Sequence, residues 1–204
     1  MQFKLIFHPL NFKKPQQIYT DKKIEVFSFP VKHSIPTCGF LFKEIGKQPN
    51  IKKELIQEFD IPIAKIKEIK AGADFVTTEG KIISNTILTT PPPIPRSYAF
   101  CTDTAFHKPT AEFIKNVDLL YHEATFTEEM KDWAKKTRHS TAADAAKMAK
   151  LANTKKLIIG HFSARYKNVA PLIEEAKAIF EETVAAVDGK TYKVKSRPAE
   201  KAVN

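Results

Sequence analysis

The chain is poor in the features that staple, thread or anchor a protein. It holds 2 cysteines, Cys38 and Cys101, in 204 residues. They form no C-x-x-C pair and have no zinc-ribbon spacing, which excludes a disulfide framework and a thiolate zinc site. Both stand among apolar residues, as small core fillers in a reducing compartment do. No apolar run approaches the roughly 18 residues of a membrane span. Met1-Gln2-Phe3-Lys4-Leu5-Ile6-Phe7 is too short for the apolar region of a signal peptide, and no internal repeat is seen. These absences leave a cytoplasmic protein with no membrane partner. It is one domain or a large part of one, and its 43% apolar residues suffice for a sizeable core.

What the chain has in excess is positive charge. With 33 Lys and Arg against 23 Asp and Glu it carries a net charge of +10, which favours a polyanionic partner, a nucleic acid first. A generally basic surface would give the same sum.

The pattern is α/β. Ile24–Phe29 alternates as a strand, and Gly39–Phe42 reads as a second. The character changes over residues 44–95. A short helix over Ile51–Phe59 is followed by the Lys-rich Ile63–Lys70 and a hairpin-like stretch around Thr77–Ile83. Pro91-Pro92-Pro93-Ile94-Pro95 then forms a stiff connector. This segment reads as a basic arm inserted in the core domain (residues 1–204), not as a second domain. Beyond it, strands and helices alternate. Thr141 with Asp144 three residues on predicts a helix start, and Ala142, Ala145, Ala146 and Ala149 form its small-residue stripe. Pro171 suits the first turn of the next helix, whose buried face is Leu172, Ile173, Ala176, Ile179 and Phe180. Thr183–Val187 reads as a strand, and the tail from Lys190 as a fraying end.

Three apolar runs end on chemistry. Ser97-Tyr98-Ala99-Phe100-Cys101-Thr102-Asp103 ends on a carboxylate, and Val117–Glu123 ends on His122-Glu123. Leu157-Ile158-Ile159-Gly160-His161 ends on an imidazole. Rigid strands that aim such groups into one crevice suggest a metal-assisted hydrolase. His33, after the first strand, is a fourth candidate. His139, before the alanine-striped helix, is a candidate proton donor or phosphate contact. Each has a bland alternative, as a core or capping residue. His8 and His107 have no supporting context.

Tyr121-His122-Glu123-Ala124-Thr125-Phe126, Arg138-His139-Ser140-Thr141, Thr102-Asp103-Thr104 and Gly160-His161-Phe162-Ser163-Ala164-Arg165-Tyr166 resemble, in this order, the ribonuclease Z proteins. These are tRNA 3′-processing endonucleases of the metallo-β-lactamase superfamily. The resemblance runs from about Leu5 to the Val184 strand. It implies part of an αββα sandwich, the second sheet with its helices, and a protruding exosite arm.

The family's N-terminal H-x-H-x-D-H motif is absent, so the resemblance is to a C-terminal part. In the family two zinc ions share seven ligands, four of them in that motif. The resemblance assigns the other three to His33 for one zinc, His161 for the second and Asp103 bridging both, and manganese suits the same donors. It further implies His139 as proton donor, Glu123 as its orienting partner and His122 beside them as a third catalytic candidate. Lys65, Lys67 and Lys70 of the arm would contact tRNA; the arm's usual Gly-Pro motif is not seen, and Ile61-Pro62-Ile63-Ala64 stands near its place. The expected partner is pre-tRNA, and the family is homodimeric. With two protein ligands per metal, the isolated chain is expected to be inactive. The alternatives are a non-catalytic basic RNA-binding remnant and one half of a split enzyme.

Overall fold

A computed structural model describes residues 3–195. In chain order its strands and helices are β1 (Gln16–Thr20), β2 (Ile24–Pro30), β3 (Cys38–Glu44), β4 (Asn50–Ile51), α1 (Lys53–Glu58) and α2 (Ile63–Lys70). Then come β5 (Phe75–Val76), β6 (Ile82–Ile83), α3 (Asn85–Leu88), β7 (Thr89–Thr90), β8 (Ser97–Cys101) and α4 (Lys108–Phe113). The last are β9 (Leu119–Glu123), α5 (Lys131–Thr137), α6 (Ala142–Leu151), β10 (Leu157–Gly160), α7 (Ala170–Ile179) and β11 (Thr183–Ala185). They form two compact units. One holds the residues up to Glu44 and Arg96–Lys195, the other Ile45–Pro95.

The larger unit is built on a mixed seven-stranded sheet in the order β1-β2-β3-β8-β9-β10-β11. β1, β2, β3 and β8 pair antiparallel; β8, β9, β10 and β11 pair parallel. Because β3 runs against both β2 and β8, β2 runs the same way as β8. The carboxyl ends of β2, β8, β9 and β10 therefore emerge along one edge. That geometry gathers His33, Asp103, Glu123 and His161, which are scattered over 129 positions of sequence.

The core lies between one face of this sheet and helices α4, α6 and α7. Phe29, Leu41, Leu120, Leu157 and Ile159 meet Ala111, Met148, Leu172 and Ala176 there. The α6 stripe is fully buried at Ala142, Ala145, Ala146 and Ala149; methyl side chains let the helix lie close on the strands. Its start is the predicted one. The Thr141 hydroxyl accepts the Asp144 N–H at 3.1 Å and the Asp144 carboxylate accepts the Thr141 N–H at 3.3 Å, a reciprocal capping box. α7 carries Pro171 in its first turn and buries Leu172 and Ala176, while Ile173, Ile179 and Phe180 are half-buried. On the opposite sheet face aromatic rings stack across strands, Phe42 on Tyr98 at 5.7 Å and Phe100 on Tyr121 at 4.7 Å. The segment after β11 borders that face over a cavity of about 520 Å³. Far from fraying at Lys190, it is tied back by the Tyr192 hydroxyl, which donates to the Ala185 carbonyl at 2.6 Å. The tail beyond Lys195, and Met1 with Gln2, lie outside the described residues.

Ile45–Pro95 has an apolar cluster of its own. Ile61, Ile69, Phe75, Ile83 and Leu88 are buried there, with Ile51, Leu55, Ile56 and Phe59 packed against them. The short helix forms at Lys53–Glu58, and the hairpin joins β5 to β6. The Lys-rich stretch is the helix α2, whose only buried residue is Ile69.

Candidate active site

Glu123 ends β9 with its side chain completely buried, and four donors converge on it. The Thr104 N–H reaches one carboxylate oxygen; the Thr125 hydroxyl at 2.6 Å and the Ser140 N–H at 3.1 Å reach the other. His139 Nδ1 lies 2.9 and 3.1 Å from the two oxygens. Burial alone would raise this carboxyl's pKa, but the His139, Thr125, Ser140 and Thr104 hydrogen bonds together outweigh it and hold it below the ordinary carboxylate value. His139 moves the other way: its bond to Glu123 raises it against the opposing effect of partial burial.

The loops around this carboxylate are laced together. The Ser140 hydroxyl donates to the Thr104 carbonyl at 2.6 Å. Phe126 bridges the start of α6, accepting the Ala142 N–H at 2.8 Å and donating its own N–H to the Ser140 carbonyl. Lys32 and Ala105 join the loop after β2 to the loop after β8, through Lys32 N–H to the Thr104 hydroxyl and Ala105 N–H to the Lys32 carbonyl.

Beside it stand the expected ligands. His161 Nε2 lies 3.5 Å from Asp103 Oδ1, and His139 stacks on His161 with ring centroids 5.4 Å apart. The His33 ring is 5.0 Å from that of His139. One donor atom each from Asp103, Glu123, His139 and His161 lie within 4.8 Å of one another. Not all four are available. Glu123 is saturated and acts as scaffold, and His139 Nδ1 is bound to it, which leaves only Nε2 of that ring open.

Asp103 and the Nε2 atoms of His161 and His33 remain to receive a cation. Both imidazoles are prepared for that through Nδ1, His161 against the Thr125 hydroxyl at 2.9 Å and His33 against the Arg138 carbonyl at 3.1 Å. A second partner on the far ring nitrogen is how metal-binding histidines are oriented. The donors thus fit a divalent ion chemically; the group of Asp103, Glu123, His139 and His161 is compatible with a metal site, and the expected ligand His33 lies outside that group. In number they fall short of the three protein ligands a catalytic zinc ordinarily holds on each ion.

Backbone strain is concentrated here. Among the described residues six non-glycine residues have positive φ, and three of them, Asp103 (49°), Arg138 (59°) and His161 (59°), surround the site. The other three are Asp60, Asn116 and Asn153, types that tolerate the left-handed region. For arginine and histidine it costs about 1–2 kcal/mol, which the interlocked loops sustain. Gly160 is required for a different reason. A Cβ there would lie 2.5 Å from the Tyr121 hydroxyl and 3.0 Å from Ala186, so a side chain just before His161 would have to displace the Tyr121 ring.

His122 stands apart from the other expected residues. Successive residues of a strand face opposite ways. His122 therefore shares the helix-covered face with its register neighbours Cys101 and Ile159. Its Nδ1 meets the Glu123 carbonyl at 2.8 Å, its buried Nε2 has no hydrogen-bond partner, and burial lowers its pKa. In the smaller unit, Lys65 pairs with Glu68 at 2.8 Å. Lys67 and Lys70, three positions apart on α2, share a flank with the exposed Ile63. Sequence reasoning assigned no role to Thr125, which ties Glu123 to His161, or to Thr104. Their signal was position alone, each within two residues of a candidate.

No protein-family model matches the sequence. Among curated proteins the chain is similar to ribonuclease Z of Bacteroides thetaiotaomicron, 45% identical over 91% of this chain and 59% of that protein. It is 44% identical to ribonuclease Z of Parabacteroides distasonis, over 93% of this chain and 62% of that one. The chain spans about three-fifths of the length of the curated relatives it matches. Among solved structures it is similar to the short form of human tRNase Z, with a TM-score of 0.51 and 20% identity over 89% of this chain and 48% of that one. The metallo-β-lactamase fold protein YhfI of Bacillus subtilis gives 0.53 and 15%, over 86% of this chain and 50% of that one. The architecture is that of the metallo-β-lactamase fold.

Proposed function

We propose that this chain, homologous to ribonuclease Z proteins over nine-tenths of its length, supplies part of a zinc-dependent endoribonuclease that removes the 3′ trailer from pre-tRNA. The observation that carries the reading is His139, fixed and made more basic by the buried Glu123, beside the Asp103–His161 pair. In this reading water attacks the phosphorus and the bond to the 3′ oxygen of the tRNA breaks. His139, donating through Nδ1 to Glu123, gives its Nε2 proton to that departing oxygen. A 3′-hydroxyl is left on the tRNA and a 5′-phosphate on the trailer.

His33 would hold one zinc, His161 the other, and Asp103 would bridge them; manganese is accepted by the same donors. Such ions, when bound, stabilise charge at the phosphate and lower the pKa of water. Asp103 and His161 place their donor atoms side by side without a neutralising hydrogen bond between them. The remaining donors would come from beyond these 204 residues. Lys67 and Lys70 of α2 meet tRNA phosphates, and Lys65 contributes less because Glu68 neutralises it. The homodimer implied by the resemblance is read by sedimentation.

The shortage of donors favours a second reading, a basic module that binds RNA without cutting it. Zinc content measured beside cleavage of a 3′-extended pre-tRNA tests both. Cleavage restored by adding the missing two-fifths of a relative as a separate polypeptide supports the nuclease reading. Salt-sensitive tRNA binding with no cleavage in any mixture supports the binding module.

A further inference from the structure

Trp133 is the one tryptophan of the chain, and 39% of it is exposed on α5. The Arg165 guanidinium lies 5.3 Å from the centre of its ring and 5.8 Å from that of Phe126. Phe126 and His139 meet in a T-shaped arrangement, 6.4 Å between centroids. Lys136, one turn beyond Trp133, brings Nζ to 5.1 Å from the indole. An exposed indole, a guanidinium and an ammonium thus form one ledge that begins at His139.

The fold makes little use of this ledge. Among the described residues Arg165 forms no ion pair, and its side chain donates no hydrogen bond; it meets the two rings, and its backbone N–H reaches the Ser163 hydroxyl at 3.4 Å. A guanidinium laid against aromatic rings keeps its donors in one plane, open to a planar or anionic ligand. Lys136 likewise has no carboxylate partner.

A π face flanked by unneutralised cations repels cationic ligands and suits single-stranded nucleic acid. Its bases stack on aromatic and guanidinium planes while its phosphates meet the charges. We propose that Trp133 and Arg165 form a stacking subsite for one unpaired nucleobase of an RNA strand, next to the phosphate addressed by His139, with Lys136 on the adjoining phosphodiester. The proposal rests on the nuclease reading and adds to it a residue that selects unpaired substrate beside the cut.

Because no other tryptophan contributes, intrinsic fluorescence reports on Trp133 alone. The probe is a single-stranded ribonucleotide heptamer, compared with an abasic ribose-phosphate oligomer of the same length and charge. Binding of each is followed independently by anisotropy of an end label. The heptamer should quench Trp133 strongly and the abasic oligomer weakly. Trp133→Ala should weaken heptamer binding about tenfold and Trp133→Phe about twofold or less, with abasic binding unchanged in both. Binding without base-dependent quenching, or a Trp133→Ala variant that binds like the parent, overturns the subsite and leaves the nuclease reading standing. Binding of neither oligomer likewise overturns the subsite, and the nuclease reading is then decided separately by cleavage of the 3′-extended pre-tRNA.

Discussion

Two groups of side chains leave the same edge of one sheet, and they are finished to different degrees. Glu123 is closed: buried, saturated by four donors and locked to His139. Asp103 and His161 are open, each about 40% exposed and in the left-handed region, which strains the histidine. His33 stands beside them with one ring nitrogen engaged. A carboxylate out of water is tolerable only when its lone pairs are all met, so the scaffolding half has to be complete within the chain. Metal donors carry no such requirement, because they keep their lone pairs for a ligand. In the proposed reading the chain thus completes the acid and its support, and leaves the metal donors short of partners.

The difference can be broken from the closed side first. Glu123→Ala strands three donors in the interior and should cost about 3–5 kcal/mol, read from urea unfolding. Asp103→Ala in the same assay should change stability by less than about 1 kcal/mol. A Glu123→Ala variant as stable as the parent would mean the carboxylate is not the organiser. Gly160→Ala comes next. The new Cβ collides with the Tyr121 hydroxyl and should cost about 1–3 kcal/mol, with metal affinity falling as His161 shifts.

Relieving strain on the open side should do the reverse. His161→Gly should gain about 1 kcal/mol in unfolding free energy while weakening zinc uptake by the proposed site, so that stability and metal affinity separate at one residue.

The smallest effect is in pH. Glu123 is lowered in the fold, so its contribution is present above the ordinary carboxylate value and lost as pH falls through the lower folded value. His139 is raised, so its contribution is present below the ordinary histidine value and lost as pH rises through the higher folded one. Both describe a single ion pair, counted once. Stability should peak between these limits, and Glu123→Gln should flatten both slopes in pH-dependent denaturation.

Much of this was legible in the sequence. Asp103, Glu123 and His161 each close an apolar run, and strand ends aim side chains rigidly. The Thr141 and Asp144 spacing wrote the cap of α6. What was not legible depended on direction and on distance in sequence. His122 and Glu123 are neighbours in the chain but point to opposite faces of β9, and only pairing with β8 and β10 shows which one faces the site. The apolar residues of Ile45–Pro95 belong to elements only two to eight residues long, so no single periodic run announced their own small core. β1 is exposed along its whole length and leaves no apolar alternation to read. The hydrogen bonds of Thr125 and Thr104 join residues from different loops, and no local pattern announces them.

The most direct test is zinc per chain in the purified protein, measured together with cleavage of a 3′-extended pre-tRNA by that chain alone. An intact acid beside an unfinished metal centre predicts less than one tightly held zinc per chain and no cleavage. Two tightly held zinc ions per chain with cleavage would contradict it, since His33, Asp103 and His161 could not supply such a centre alone.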